Sequence, residues 1–250
     1  MENIIYNSMI SANRLLNKQT IIANNLANIS TSGFKEDFMY LIKKNHHADI
    51  DLEILSQIQE KEYHNFSSGF LDYTHRNLDI FIKRNGWLAV KDNSGKEAYT
   101  KNGHLMINAN GQLVAQNHPI IGRNTPIQIP PKANIKILSN GEIINTKYRK
   151  NNIIKYKIGE LKLVTLPIKK LIKKNNGLFY IDNSNINTRS IPHDSNIKIV
   201  SGALEKSNVN LTKNMIDMMS NARQFDMQMK MISTYDQNTE YANQLLNINS

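Results

Sequence analysis

The chain has 250 residues, which is enough for one large domain or two small ones with a buried core. Its formal net charge is +10, yet lysine is spread along the whole chain, so we interpret the charge as general lysine enrichment and not as a selected face for nucleic acid. The absence of cysteine excludes disulfide bonds and thiolate metal sites. No run reaches the ~20 apolar residues of a membrane-spanning helix, and the first residues lack the basic and apolar regions typical of a secretory signal.

The first segment, residues 1–34, predicts a helix with one apolar stripe. The stripe recurs at alternating spacings of four and three, the heptad pattern of paired helices, and stops in the Ser-, Thr- and Gly-containing run 28–33. Seven asparagines lower its intrinsic helix propensity, so the helix is expected to depend on a partner. The stripe consists of Ile5, Met9, Ala12, Leu16, Gln19, Ala23 and Leu26, with Ile4, Leu15 and Ile22 widening one side.

Residues 35–68 are predicted to be a linker that could include a short amphipathic helix over 50–62. The run 43–47 is polar and typical of a solvated segment. Its adjacent pair His46-His47 is the one histidine pair in the chain, but neighbouring side chains point apart, so joint metal chelation is not expected.

The middle of the chain, residues 69–204, predicts an antiparallel β-rich outer domain. Short β-forming runs such as 78–82 and 87–90 flank Asn-Gly pairs, and this dipeptide is typical of two-residue hairpin turns of type I′, in which both central residues need a positive φ. Five such pairs are present, starting at Asn85, Asn102, Asn110, Asn140 and Asn176.

The last segment, residues 205–250, mirrors the first. After a predicted N-cap region at 205–208, a second apolar stripe begins, and it continues more weakly from Tyr235 to Leu246. The simplest partner for each stripe is the other one, with copies from neighbouring subunits as further partners. We therefore predict an α+β fold with paired long N- and C-terminal helices, coiled-coil-like, around a central antiparallel β-rich domain. The second stripe consists of Val209, Thr212, Ile216, Met219, Ala222, Phe225, Met229 and Ile232.

No catalytic constellation is apparent in the sequence. His193-Asp194 follows a proline and is predicted to lie in a loop, and the chain has neither a phosphate-binding glycine loop nor a nucleophile elbow. The basic clusters 147–150 and 169–174 could bind phosphates. We interpret them as solvated hairpin ends, with nucleic-acid binding as the alternative from another functional class.

Two segments resemble the signatures of a known family. Residues 23–35, ANNLANISTSGFK, resemble the N-terminal signature of the flagellar rod, hook and hook-associated proteins, and residues 201–210, SGALEKSNVN, resemble the C-terminal one. Residues 72–79 and 85–90 look like the proximal-rod subunits, with the distal-rod subunits as the alternative. Ser32 and Asn77 stand where the family often has proline, which puts the rigidity of these two turns in doubt.

The resemblance implies a non-enzymatic structural subunit of the proximal rod, which transmits torque and surrounds the export channel. Its implied partners are itself, other proximal- and distal-rod subunits and the flagellar type III export apparatus. Export without a cleavable signal peptide, location in a rod that spans the periplasm, and terminal helices that order on assembly are implied as well. No cofactor, small-molecule substrate, nucleic acid or membrane insertion is expected. The residues expected to carry assembly are Ile5, Met9, Ala12, Leu16, Ala23, Asn24, Asn25, Leu26, Asn28, Asn208, Val209, Asn210, Ile216, Met219, Phe225, Met229 and Ile232.

Overall fold

Long helices at the two ends of the chain and short strands between them make this an α+β protein. The chain divides into two units. Residues 1–29, 35–65 and 209–250 form the helical unit, and residues 30–34 and 66–208 form the β unit. Within the described residues, no helix has the length and apolar content needed to cross a membrane. The computed structural model describes residues 2–43, 58–124, 127–131, 133–149, 152–174, 176–182 and 190–248.

The described residues of the helical unit form two helices and one hairpin. Helix α1 spans Glu2–Ala27 and helix α2 spans Leu211–Ile248. At ~1.5 Å per residue, α1 is about 39 Å long and α2 about 57 Å, so α2 is the longer by roughly 18 Å. Strands β1 (Asp37–Lys43) and β2 (Ile58–His64) pair in antiparallel fashion, with Asp37 opposite His64.

The hairpin stands where the sequence predicted a linker. Residues 37–43 and 58–64 are strands, and the last part of the predicted short helix over 50–62 therefore belongs to β2. Glu60, Lys61 and Glu62 are not typical strand residues, yet they pair with residues 39–41 of β1. Cross-strand pairing thus overrides local helix propensity. Residues 44–57, including His46 and His47, lie outside the described residues.

In its described residues, the β unit is built from short strands and a 3-10 turn at Ile168–Lys170. Its strands are β3 (Leu71–Tyr73), β4 (Ile80–Ile82), β5 (Gly86–Lys91), β6 (Glu97–Thr100), β7 (Leu105–Ile107), β8 (Leu113–Ala115), β9 (His118–Pro119), β10 (Ile135–Ile137), β11 (Glu142–Arg149), β12 (Asn152–Glu160), β13 (Leu163–Thr165), β14 (Leu171–Lys173), β15 (Phe179–Ile181), β16 (Ile199–Ser201) and β17 (Ala203–Glu205).

The strand pairings in the described part of the β unit are antiparallel, as predicted for the middle of the chain. The largest sheet has the order β13-β5-β6-β15-β14, and two three-stranded sheets have the orders β10-β11-β12 and β7-β8-β9. The pairs β3–β17 and β4–β16 join the first strands of the unit to its last. These two pairs close the β unit, because they bring its two chain ends together.

Strand β5 is buried on both faces, which explains its continuous apolar run. Leu88 and Val90 belong to the larger core cluster, whereas Trp87 packs in a second cluster with Phe179 and Phe66. The ring centroids of Trp87 and Phe179 lie 4.9 Å apart in an edge-on arrangement, within the range of favourable aromatic pairs. The single tryptophan of the chain therefore reports on the interior of the β unit.

Three of the five Asn-Gly pairs form hairpin turns, but of a different type from the predicted one. Gly111, Gly141 and Gly177 have φ of +73°, +90° and +74°, whereas the asparagines before them do not have positive φ. Each glycine N–H donates to the carbonyl three residues back, for example from Gly141 to Leu138 at 3.0 Å. This is a type I turn followed by a left-handed glycine, which continues the strand through a bulge.

The two remaining pairs need glycine for a different reason. A Cβ on Gly103 would lie 1.7 Å from the carbonyl oxygen of Ile80, and one on Gly86 would lie 2.4 Å from Ile197. Neither glycine has a positive φ, so close packing and not turn geometry requires them. A turn with two positive φ values, as type I′ requires, is formed instead by Gln116 and Asn117 between β8 and β9.

Candidate assembly surface

Helices α1 and α2 pack side by side in antiparallel orientation. Near the end of α1, Asn25 Nδ2 contacts Asn214 Oδ1 near the start of α2 at 3.4 Å. About two turns further along α2, Asn221 Nδ2 donates to the Leu15 carbonyl and to Gln19 Oε1, both at 2.8 Å. Contacts therefore move towards the start of α1 as α2 proceeds.

The buried face of α1 is rotated from the predicted stripe. Ser8, Ala12 and Ile22 are buried, whereas Met9 is 59% and Leu16 50% exposed. The buried positions of α1 recur at spacings of four and three residues, as predicted. At every second position, however, the buried residue stands one place before the predicted one, as Ser8 stands before Met9. Because apolar residues stand on both sides of the predicted stripe, packing decides which face of α1 is buried. The small Ser8 lets the two helices approach more closely than Met9 would. The seam of α1 comprises Ile5, Ser8, Ala12, Leu15, Gln19, Ile22 and Leu26.

The buried face of α2 is also displaced. Asn214 and Asn221 are 3% and 2% exposed, whereas the predicted Ile216, Met219 and Met229 are 56%, 57% and 45% exposed. Of the predicted stripe, Phe225 and Ile232 are half-buried and Val209 is buried. The seam of α2 follows the same heptad spacing and comprises Asn214, Met218, Asn221, Phe225, Gln228, Ile232 and Tyr235.

Sequence reasoning missed the two buried asparagines because it traced the buried face of α2 through its apolar residues. The available signal was the heptad spacing itself, since Asn214, Asn221 and Gln228 stand seven residues apart and alternate with Met218 and Phe225. A search that admits amides at one seam position in each heptad would have found this register.

Asn25 joins α1 to the hairpin. Its Nδ2 donates to the carbonyl of Asp37 at 2.7 Å, and its Oδ1 accepts from the N–H of Asp37 at 2.9 Å. Asp37 Oδ1 in turn lies 2.7 Å from His64 Nδ1 in the paired strand, and Asn24 Nδ2 donates to Asp37 Oδ2 at 3.3 Å. The N-terminal signature thus uses adjacent asparagines to hold the start of β1.

The other predicted asparagines also have contacts within the chain. Asn28 Nδ2 donates to the carbonyl and side chain of Asn24 at the end of α1. Asn210 Oδ1 accepts from the Lys213 N–H at 3.0 Å and so caps α2, which places the cap two residues after the predicted region. Asn208 belongs to the β unit, where its Nδ2 donates to the Ser67 carbonyl at 3.0 Å.

Six predicted apolar assembly residues are exposed on the two helices, and we call them the outer stripe. They are uncommonly large for a free surface, since five of them are Leu, Ile or Met. A groove of about 730 Å³ between α1, α2 and β1, lined in part by Leu15, Ile22 and Met231, leaves further apolar surface open. The outer stripe consists of Met9, Leu16, Ala23, Ile216, Met219 and Met229.

His193 and Asp194, the histidine and neighbouring aspartate named in the sequence analysis, have hydrogen-bond partners within the β unit. His193 Nδ1 accepts from the Leu163 N–H at 3.2 Å, and Asp194 accepts from the Thr165 hydroxyl at 2.7 Å. Burial, assisted by Arg123, lowers the pKa of His193. Among the described residues, no group of three or more His, Asp or Glu side chains is arranged to hold a metal ion.

The basic clusters lie in the β unit, partly on strands β11 and β14 and partly on the 3-10 turn at Ile168–Lys170. Lys170 and Lys174 are exposed, and the ammonium of Lys174 lies 4.2 Å from the ring centre of Tyr180. Lys147 and Arg149 belong to β11, and Lys150 lies outside the described residues.

Three family profiles match successive parts of the chain. Residues 5–35 match the profile described as flagella basal body rod protein. Residues 81–145 match the D1 domain of flagellar hook protein FlgE/F/G, and residues 200–245 match the C-terminal part of flagellar basal body rod FlgEFG protein. The first and last matches contain most of α1 and most of α2.

Several curated relatives match the chain over at least 90% of its length. It is 55% identical to the flagellar basal-body rod protein FlgF of Buchnera aphidicola subsp. Schizaphis graminum (strain Sg), with 100% of both chains covered. It is 36% identical to FlgF of Escherichia coli (strain K12), over 99% of this chain and 100% of the relative. The rod protein FlgG of the same Buchnera strain is 30% identical over 90% of this chain and 92% of the relative.

Proposed function

This chain belongs to the FlgF family of flagellar basal-body rod proteins, and from that membership we propose that its terminal helices join it to neighbouring rod subunits. It is a non-enzymatic structural subunit of the flagellar basal body and assembles with other rod subunits.

Within the rod, we propose a place in the proximal segment, where the subunit transmits torque and surrounds the export channel. FlgF relatives are 55% and 36% identical to this chain, whereas the FlgG relative is 30% identical, and this order supports the proximal over the distal segment. Family membership alone supports two further proposals, export through the flagellar type III apparatus without a cleavable signal peptide and a position spanning the periplasm.

The outer stripe is the observation that carries the proposed mode of assembly. Leu16, Ile216 and Met219 are each at least half exposed, although the same helices bury asparagine in their seam. Exposed large apolar side chains on a regular stripe mark an interaction surface. Neighbouring copies would cover the stripe with their own helices in coiled-coil-like packing, and contacts of this heterologous kind extend into a helical tube when they do not close into a ring.

Substitutions in the outer stripe and in the seam distinguish the roles of these two surfaces. Leu16→Asp and Met219→Asp place a charge on exposed positions, so the free chain should keep its helices while losing its incorporation into basal bodies. Leu26→Asp and Phe225→Asp place a charge in the seams, so they should abolish incorporation and also reduce the helical signal of the free chain. The wild-type chain and the exposed polar change Ser220→Asp serve as references.

Incorporation is measured by immunoblotting purified basal bodies from cells that lack their own copy of the protein. Circular dichroism at 222 nm reports the helices, and Trp87 fluorescence reports the β unit, which should stay folded in all variants. Full incorporation of Leu16→Asp and Met219→Asp would contradict the proposal. Unfolding of the β unit by Leu26→Asp or Phe225→Asp would overturn the assignment of assembly to the helices alone.

A further inference from the structure

Buried amides connect α1 and α2 at two levels, and we call Gln19, Asn25, Asn214 and Asn221 the polar seam. At the first level Asn25 contacts Asn214, and at the second Asn221 donates to Gln19 and to the Leu15 carbonyl. The three asparagines are each at most 3% exposed. Asn25 also binds the backbone of Asp37, but Asn214 and Asn221 need another explanation, because apolar side chains at these two positions would stabilise helix pairing more.

Asn221 shows most clearly that burying an amide between the helices costs free energy. Its Nδ2 has two acceptors, but its Oδ1 is buried and has no hydrogen-bond partner among the described residues. A leucine at this position would remove an incompletely satisfied polar group and extend the apolar contact. The gain from asparagine must therefore lie in something other than the strength of helix pairing.

The apolar residues of the seams cannot by themselves align the helices. Heptad positions repeat every seven residues, so Ala12, Leu15 and Ile22 would pack about as well against α2 after a slip of one heptad. Such a slip moves α2 by about 10 Å along α1. Asn221 would then lie level with Ser8–Ala12 or with Ile22–Leu26, out of reach of Gln19.

We propose that the polar seam fixes the register of α1 against α2 and thereby positions the outer stripe. Only the native register gives Asn221 both of its acceptors and brings Asn25 to Asn214. A slip would take Asn221 away from both of its acceptors and separate Asn214 from Asn25, and it would displace the α2 part of the outer stripe from the α1 part by two helical turns. This inference deepens the proposed function and rests on it for the role of the stripe. The register itself is a property of the free chain.

The absence of cysteine makes the register directly measurable by disulfide trapping in the full-length chain. Ile22 lies between Gln19 and Asn25, and Met218 lies between Asn214 and Asn221, so the two hydrogen-bonded levels bracket this pair. Ile22→Cys with Met218→Cys reports the native register. Ile22→Cys with Phe225→Cys reports a slip of one heptad.

Each cysteine pair is placed in three backgrounds, which are the native seam, Asn214→Leu with Asn221→Leu, and the matched control Asn13→Leu with Asn238→Leu at exposed positions. With the native seam and in the control, mild oxidation should trap the Ile22/Met218 pair alone. In the seam variant, the yield of the slipped pair should rise about tenfold, since the amides no longer penalise the slip.

The proposal would be overturned if the yield of the Ile22/Phe225 disulfide in the seam variant stayed at the level found with the native seam. Trapping of this pair with the native seam would also overturn it. Loss of the helical signal at 222 nm in the seam variant would also overturn it, because the amides would then be needed for folding and not for register. The measurement uses the free chain, so its result is independent of whether the outer stripe binds neighbouring subunits.

Discussion

Asn25 acts on Asp37 as a neighbouring strand would, because its amide satisfies both the N–H and the carbonyl of that residue. Those two groups lie at the start of β1, which pairs with β2 on its other edge. A side chain of α1 therefore supplies the hydrogen bonds that a further strand would otherwise supply. Asp37 uses its own carboxylate to contact His64, so the start of the hairpin is held by backbone and side chain together.

Asn25→Leu should destabilise the helical unit by about 2–4 kcal/mol, because it leaves two buried backbone groups of Asp37 unpaired. Urea unfolding followed by circular dichroism at 222 nm measures this loss. The matched change Asn13→Leu affects an exposed residue of the same helix and should shift stability by no more than about 0.5 kcal/mol. Equal effects of the two changes would contradict the assigned role of Asn25.

His193 should make the stability of the β unit depend on pH. Its pKa is lowered in the folded chain by burial and by Arg123, so the folded state binds the proton less readily than the unfolded state. The stabilisation is complete above the unfolded pKa near 6.5 and is lost as the pH falls through the lower folded value. Urea unfolding followed by Trp87 fluorescence should show a smaller loss between pH 7 and pH 5 in His193→Gln than in the wild type. An unchanged loss would show that other groups cause it.

At the scale of elements, the β unit uses glycine in two physically different ways. Gly177 provides a left-handed conformation at the end of a turn, and a Cβ there would meet no atom within 4 Å. Gly103 has no positive φ but allows the chain to pass directly over Ile80. The Asn-Gly dipeptide looks the same in both places, so only the packing around it distinguishes a turn from a close approach.

Gly177→Ala and Gly103→Ala separate these two uses. The first should cost about 1–2 kcal/mol, the usual penalty of a left-handed alanine. The second should cost several-fold more or prevent folding, because the Ile80 carbonyl belongs to the backbone and cannot move aside without breaking its strand pairing. Trp87 fluorescence in urea measures both. A greater loss for Gly177→Ala would contradict this distinction.

At the scale of the whole molecule, the two units have cores of opposite character. The β unit buries a large continuous apolar cluster, with residues such as Leu88, Leu161 and Leu163 fully enclosed. The helical unit buries amides in its seam and leaves methionine, leucine and isoleucine exposed. Apolar burial provides most of the stabilisation of a domain, so the free helical unit should be the less stable of the two.

Hydrogen exchange on the purified chain tests this difference. Amides of residues 1–34 and 205–250 should exchange faster than those of the strands within 69–204, because the seam provides little apolar stabilisation. Peptide-level mass spectrometry gives the comparison, and β5 serves as the internal reference for full protection. Equal protection of α1 and β5 would mean that the helix pair is stable without neighbouring subunits.

Periodicity and turn chemistry predicted the elements themselves. The heptad spacing of apolar residues placed helices at both ends of the chain, and β-forming runs around Asn-Gly pairs placed an antiparallel β-rich region between them. Both signals depend on local backbone geometry, which is why they can be recognised without knowing any partner. The signatures at 23–35 and 201–210 added the family, which the comparisons confirmed over the full chain.

Tertiary structure decided which side of each helix is buried, and it decided this against simple hydrophobicity. A helix with apolar residues on two adjacent faces can bury either, and here packing buried Ser8 and Ala12 while leaving Met9 and Leu16 exposed. It also made residues 58–62 a strand, because their pairing with β1 outweighs their own preference. In each case the deciding free energy comes from contacts between residues far apart in the chain, and a local pattern does not contain those contacts.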